Sequence, residues 1–543
     1  MKRKLTSLPS DLTPRLLQGV PLSICLSGCG QHWAAPRSYT DDFYSTRRFC
    51  QRTENFDVFL SHDWGTSRWL KLCSLLMMFN VRAASTACMV VSIAVGILRA
   101  YRIIPDERWT ELFPLGIFYI LLFFWQHLRE LFKKPLVVFL DRLCIAQNDD
   151  RLKEQGILGL AGFLDRSSML AVLWSPRYFK RAWCAYELGT FLRDPGKEKL
   201  VRVMPVKLAP TLLAFCLTWE VIRFAHSAAT EYDESGSREW LIVSGTLLFV
   251  ILCGSPLYMY IGMGLIRDVQ ALPDHLRNFK IQDAECSCCA NNHRNPSTGE
   301  ELPCDKQLIF RTLKKWYGTP DDDTEAHLET FNGFVRSRLS RTIRQTVGGY
   351  TLPLKQYLYI ALGSNAPLLA NYMSKMGTPP AEISSDLERV MWACRWLIRW
   401  MNAPLQMLFG IWVSIACWKL GVYLMRYCGR VALSLILPFL ILPCALAVAW
   451  LPMRITFDLT SHDSLLPLVP FLALLAITLC LFSAGASPKM IAPDTAFDEM
   501  LRARSDKSQS SQAKEAWEKK DAQDSPQPSM ATSSTTQDTS SSS

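Results

Sequence analysis

The sequence predicts an α/β protein built into a membrane: a parallel sheet interrupted by a membrane hairpin, joined to a multi-span α-helical membrane region. Three observations lead there. Between residues 57 and 206, short apolar runs ending in polar loop chemistry alternate with helical periodicity, as strands linked by crossover helices do. Uncharged stretches at 241–266, 431–453 and 464–488 each exceed the ~20 residues that cross a hydrocarbon core of ~30 Å. The first two strand patterns are about 75 residues apart, where one crossover needs only a dozen or more. Two crossings in that gap return the chain to its starting side, so both strands can still pair.

A chain of 543 residues holds several structural units. The net charge of +10 raises nucleic-acid binding as a possibility. No basic stripe interleaved with aromatics and no DNA-reading finger spacing supports it. The excess is therefore assigned to cytoplasmic loops, and no nucleic-acid partner is expected. Of 18 cysteines, Cys88, Cys216, Cys253, Cys417, Cys444 and Cys480 sit singly in apolar segments and read as small hydrophobes. Only residues 286–304 concentrate them, which argues against a secreted disulfide framework. The basic start is interrupted by Pro and polar residues and does not read as a signal peptide.

Taken in order, residues 1–54 show no sustained period and are expected to be disordered. Residues 57–61 (DVFLS) read as a buried strand, followed by an amphipathic helix over Arg68–Asn80. The uncharged stretches 83–98 and 112–128 form the expected hairpin (81–133), flanked by Arg82, Arg99 and Arg129, which can snorkel to the interfaces. Their shortness leaves buried helices of a soluble domain as the alternative. Leu136–Leu140 is the second strand, 150–165 a helix, 169–174 the third strand and 183–193 a helix. Residues 201–206 form the fourth strand, placed at an edge because Pro205 cannot donate to a ladder.

Residues 207–267 are expected to be a transmembrane pair around an acidic outer loop. Glu220 and Arg223, three apart, share one helix face and can neutralise each other. A polar cytoplasmic Cys/His-rich module follows over 268–346, and a transmembrane bundle over 347–488. Within the bundle 400–418, 431–453 and 464–488 are clear spans, while 356–373 is uncharged but broken by Asn365, Pro367 and Asn371. Counting it gives eight spans with both termini cytoplasmic; omitting it gives seven. The Ser/Thr/Gln-rich tail within 489–543 has too few apolar residues to bury a core and is expected to be disordered.

Three pieces of the chain resemble a known family. Asp57–His62 (DVFLSH) looks like a first box, Phe139–Asn148 (FLDRLCIAQN) takes the second-strand position, and Trp174–Leu188 (WSPRYFKRAWCAYEL) ends in W-C-x-x-E-L. Together they are similar to Toll/interleukin-1 receptor (TIR) domains. The resemblance implies a flavodoxin-like sheet split between 55–80 and 134–206. It departs from the family in the inserted hairpin, in the missing R-D-x-x-P-G of the second box and in the absence of a soluble fifth strand. Families with this domain assemble with other TIR domains, self or heterotypic, and relay signals; some cleave NAD⁺ at the nicotinamide–ribose bond.

The resemblance makes Glu187 the candidate catalytic carboxylate, acting on an oxocarbenium-like centre. Ser61, His62, Asp63, Trp64 and Trp183 would line the cleft beyond the strand ends. Equally, Trp183 and Leu188 can simply pack while Glu187 pairs with Arg177, Lys180 or Arg181, because the motif does not separate the two classes. Cys184 reads as packed.

A second constellation is Cys286-x-Cys288-Cys289-x3-His293-x10-Cys304. Thiolates with one imidazole suit tetrahedral zinc. The expected ligands are Cys286, Cys289, His293 and Cys304, with Cys288 as alternate; the other reading is a reduced thiol cluster. The sequence thus predicts an integral, multi-pass protein in a lipid bilayer, with its TIR-like domain and both termini cytoplasmic, serving signalling or scaffolding. A membrane-anchored NAD⁺ glycohydrolase using Glu187 is the alternative. An ion channel or transporter is third, resting on Glu220, Arg223 and Lys419.

Overall fold

The computed structural model describes residues 14–34, 49–105, 107–145, 159–232, 248–294, 304–318, 325–347 and 354–486, with isolated positions between them. The expected disordered tail, 489–543, lies outside these, as do residues 146–148 of the second-strand piece.

The four expected strands form, as β3 (Val58–His62), β4 (Val137–Phe139), β5 (Leu170–Trp174) and β6 (Val201–Pro205). All four run parallel, in the spatial order β4-β3-β5-β6. Every residue of β3 and β5 is buried, as befits central strands covered on both faces. β6 is the edge strand, as Pro205 required.

Two corrections follow from the N-terminal segment. Residues 1–54 are not wholly disordered, and the sheet is mixed rather than purely parallel. β1 (Gln18–Pro21) pairs antiparallel with β4, and β2 (Gln51–Arg52) pairs antiparallel with β1. These strands cover the edge that β4 would otherwise leave open. Gly19 permits the approach, since a Cβ there would stand 2.5 Å from Val137 Cγ1. Trp33, fully buried, donates its indole N–H to the Cys25 carbonyl at 2.7 Å and anchors the segment.

The helices that matter below are α1 (Arg68–Phe79), α2 (Val81–Ala100), α3 (Leu112–Glu130), α4 (Ala182–Leu192), α5 (Leu208–Tyr232), α6 (Ser255–Arg277), α7 (Asp305–Tyr317) and α8 (Ala326–Phe334). They continue as α9 (Leu354–Gly377), α10 (Asp386–Leu424), α11 (Arg430–Ala449) and α12 (Leu468–Ala486). Of the expected helix 150–165, Leu160–Asp165 is described as one continuous helix.

Among the described residues, six helices are long and apolar enough to cross a membrane: Val81–Ala100, Trp109–Glu130, Leu208–Ala225, Ser244–Arg277, Asp386–Leu424 and Arg430–Asp458. The hairpin stretches reach 20 and 22 residues once helical ends are included. Of the eight expected spans, 464–488 appears as a shorter apolar helix, Leu468–Ser483. The stretch 356–373 becomes α9, 24 residues long and continuous through Pro367.

α9 is less apolar because it packs against α2, α3, α5 and α10, and its polar side chains face those neighbours. Ser364 donates to Glu220 at 2.6 Å, and Asn365 accepts from Trp219 at 3.1 Å. Asn371 accepts from Arg99 at 3.3 Å. Gly96 and Gly363 let the backbones come close, since a Cβ on Gly363 would stand 2.6 Å from Ser85 Oγ.

Three charged side chains among these helices satisfy one another. Arg223 bridges Glu220 at 2.6 Å and Glu111 at 2.9 Å, and all three side chains are 9% exposed or less. Arg395, 1% exposed, donates to the carbonyls of Phe457 at 2.8 Å and Ser461 at 2.7 Å, tying α10 to the chain before α12. Replacing Arg223 by Met leaves two enclosed carboxylates without their cation, at a cost of about 3–5 kcal/mol. Thermal unfolding in detergent should show a clear fall in Tm, partly restored by Glu220→Gln; an unchanged Tm would show that the triad does not hold these helices.

Candidate functional site

β4 and β5 lie on opposite sides of β3, so the crossover direction reverses there, at the point where open α/β sheets place their ligand crevice beyond the strands' carboxyl ends. Ser61, His62 and Asp63 end β3 at this point, and α4 brings Glu187 towards it.

Alternation along the strand divides the predicted residues. Ser61 faces α4. Its Oγ donates to Glu187 Oε2 at 2.5 Å and lies 2.6 Å from the Tyr178 hydroxyl, all three groups being buried. His62 belongs to an aromatic group, edge-on to Trp33 (centroids 4.9 Å) and to Trp64 (4.5 Å). Asp63, 1% exposed, accepts from the Gly65 N–H at 3.1 Å and faces Arg181 at 3.8 Å. Trp64 donates to Asp141 at 2.9 Å. Trp183 points to another partner, donating to Asp305 at 3.2 Å. The five expected cleft residues therefore do not share one lining: Trp183 belongs with the cysteine module.

Sequence reading missed four members of this group: Trp33, Lys71, Asp141 and Tyr178. Lys71 is fully buried on α1, with its Nζ 5.1 Å from the Trp64 ring and 5.9 Å from the Trp33 ring. Burial lowers its ammonium to about 8 against the opposing pull of Asp141, Asp63 and Cys184. Burial, then the charge of Lys71, holds His62 well below the usual imidazole range, so it is neutral. The missed signal was a lysine four residues before Leu75 on the face that α1 buries.

Glu187 is 8% exposed, and none of Arg177, Lys180 or Arg181 pairs with it among the described contacts. Burial raises its carboxyl to about 8, opposed by the Ser61 hydrogen bond and reinforced by Asp141. At neutral pH it is a protonated acid that braces α4 against β3. Cys184, also buried, contacts the His62 carbonyl at 3.3 Å and has its thiol raised by burial, as a packed residue should.

The cysteine module docks on the start of α4. The Glu285 carbonyl accepts the Ala182 N–H at 3.1 Å, its N–H donates to the Lys180 carbonyl at 2.6 Å, and its carboxylate pairs with Arg177 at 3.0 Å. Farther along α4, Tyr186 stacks on Trp316 of α7 (centroids 5.4 Å). A Cβ on Gly189 would stand 2.6 Å from the Phe331 ring of α8. The module thus covers the very helix that carries the W-C-x-x-E-L motif.

Within it, Cys288, Cys289, His293 and Cys304 place their ligand atoms within 4.8 Å of one another, and this group can hold a metal ion. The expected set changes at one position, Cys288 replacing Cys286. Cys286 is extended (φ −127°, ψ 141°) ahead of the one-turn helix Ser287–Ala290. It falls instead into a second group with Cys288 and Asp305. Left-handed Asn292 and His293 (φ 51° and 56°) turn the chain back, which brings the imidazole to the thiols. Burial and the neighbouring Cys304 and Cys288 push the Cys289 thiol up to about 11; a bound dication would reverse that preference.

Comparison of the chain with protein-family models, with curated proteins and with solved structures finds no match.

A raised Glu187 value means that the folded state binds this proton more tightly than the unfolded chain. Its contribution is therefore complete below about 4.5 and is lost as pH rises towards 8. Glu187→Gln keeps the shape without the ionisation. Thermal unfolding between pH 5 and 8.5 should show the wild type losing stability relative to the variant, by about 4 kcal/mol in total. A difference that does not vary with pH would contradict the buried acid.

Proposed function

We propose that this chain is a multi-pass membrane protein whose TIR-like domain works in signalling, as an interaction scaffold for other TIR domains, self or heterotypic. The observation that supports this best is the enclosure of Glu187, which as a buried acid bonded to Ser61 bridges a helix and a strand. Stabilising an oxocarbenium-like centre calls for an accessible carboxylate. Glu220 and Arg223 form a closed triad with Glu111, a bracing arrangement rather than a pathway. The domain and both termini face the cytoplasm in this reading, and eight spans are kept, with α9 as the polar central one.

NAD⁺ hydrolysis is the second reading. It is favoured by the gathering of Ser61, His62, Asp63, Trp64 and Glu187 around the ends of β3 and β5. Purified protein incubated with NAD⁺ should release no nicotinamide above a boiled control. Release that vanishes in Glu187→Ala would overturn the scaffold-only reading. Differently tagged copies should co-purify in mild detergent, and deletion of either half of 55–80 plus 134–206 should abolish this; co-purification that survives the deletions would remove TIR contacts as the cause.

Zinc is the metal proposed for Cys288, Cys289, His293 and Cys304. The Cys288–Cys289 and Cys289–Cys304 sulfur separations are 3.9 and 3.8 Å. A tetrahedron with Zn–S bonds of ~2.3 Å has an edge of about 3.8 Å. Elemental analysis should find zinc in the purified chain and much less in Cys289→Ser; equal content in both would refute these ligands.

A further inference from the structure

Cys286 is left over by the four-ligand reading, yet it is 3% exposed and grouped with Cys288 and Asp305. Cys288, 5% exposed, belongs to both donor groups, and in each the ligand atoms lie within 4.8 Å of one another. We propose that Cys286–Asp305 is a binuclear centre in which the Cys288 thiolate bridges two divalent cations. The first is held by Cys288, Cys289, His293 and Cys304, the second by Cys286, Cys288 and Asp305. This rests on the zinc reading above and extends it from one ion to two.

Charge supports the pairing. One dication on three thiolates and a neutral imidazole leaves a net charge of one negative. The second brings two positive charges and adds one thiolate, Cys286, and one carboxylate, Asp305, so it accumulates no further charge. The Asp305 N–H donates to Cys288 Sγ at 3.3 Å, which eases the charge on a sulfur that must serve two ions. Trp183 donates to the Asp305 carboxylate at 3.2 Å and so acts as an outer-shell group that orients this ligand. The second ion has three protein ligands, leaving one tetrahedral position for water or another small donor.

This arrangement also ties the metals to the candidate site. Asp305 opens α7, Trp183 lies in the first turn of α4, and Glu285 caps that same turn.

The test uses the full chain, loaded with zinc in detergent and freed of loose metal by gel filtration, with zinc counted per chain. Wild type should retain two ions. Cys286→Ser and Asp305→Asn should each retain one, the retained ion itself reporting that the module has folded. A wild-type count of one would overturn the binuclear centre while leaving the four-ligand site; a count of zero would overturn both. Two ions in the wild type and still two in both variants would also overturn it, by placing the second ion elsewhere.

Discussion

β3 bonds β4 on one side and β5 on the other, and the rest of the molecule is arranged around that double pairing. The chain leaves β3 through α1, runs through two helices long and apolar enough to cross a membrane, and comes back to lie beside β3 as β4. Parallel pairing demands a crossover of some kind; here the crossover is itself the hairpin. The same constraint produces the reversal of crossover direction at β3, where Ser61 and His62 end the strand and Asp63 follows. With α2 and α3 committed elsewhere, β4 has three residues and depends on the antiparallel β1 to cover its outer edge.

A second principle governs the helical region, where polar side chains are found facing neighbouring helices. Glu111, Glu220 and Arg223 neutralise one another, Ser364 and Asn365 bond to α5, and Gln126 bonds to Asn80 at 2.8 Å. Each would be costly facing hydrocarbon and is satisfied inside. The same logic makes α9 look broken in sequence while it is continuous in space. Its Asn residues are interhelical contacts, and Pro367 sits in a helix whose neighbours hold it in place.

Much of the sheet was legible from residues 57 onward, because DVFLS, LVVFL, MLAVLW and VRVMPV are short apolar runs bounded by turn chemistry. The N-terminal strands were not. Gln18–Pro21 and Gln51–Arg52 are too short for a period, and the first contains Gly and Pro; β1 pairs with the free edge of β4, and β2 with β1. The site was legible in its strand and helix members, Ser61 to Trp64 and Glu187, since motif position fixes them. Lys71, Trp33, Asp141 and Tyr178 were not: the spacing to Leu75 places Lys71 on the buried face of its helix, but only the fold brings Trp33, Trp64 and Asp141 around it. For the group that can hold a metal ion, the spacing identified the segment but led to Cys286 ahead of Cys288. Backbone dihedrals at Cys286, Asn292 and His293 gather Cys288 with Cys289, His293 and Cys304 instead.

The sequence by itself determined composition-driven features: which segments are apolar enough to leave water, where strands alternate with helices, and which stretch concentrates thiols. Hydrophobic length and periodicity are properties of neighbours along the chain, so they can be read there. Only the tertiary structure decided what Glu187 is in the fold, a buried acid held by Ser61 126 residues away, and that the cysteine module covers α4 rather than standing apart. Those outcomes depend on desolvation and on partners distant in sequence. A carboxylate's charge state and a thiol's neighbours are set by the enclosure that folding creates.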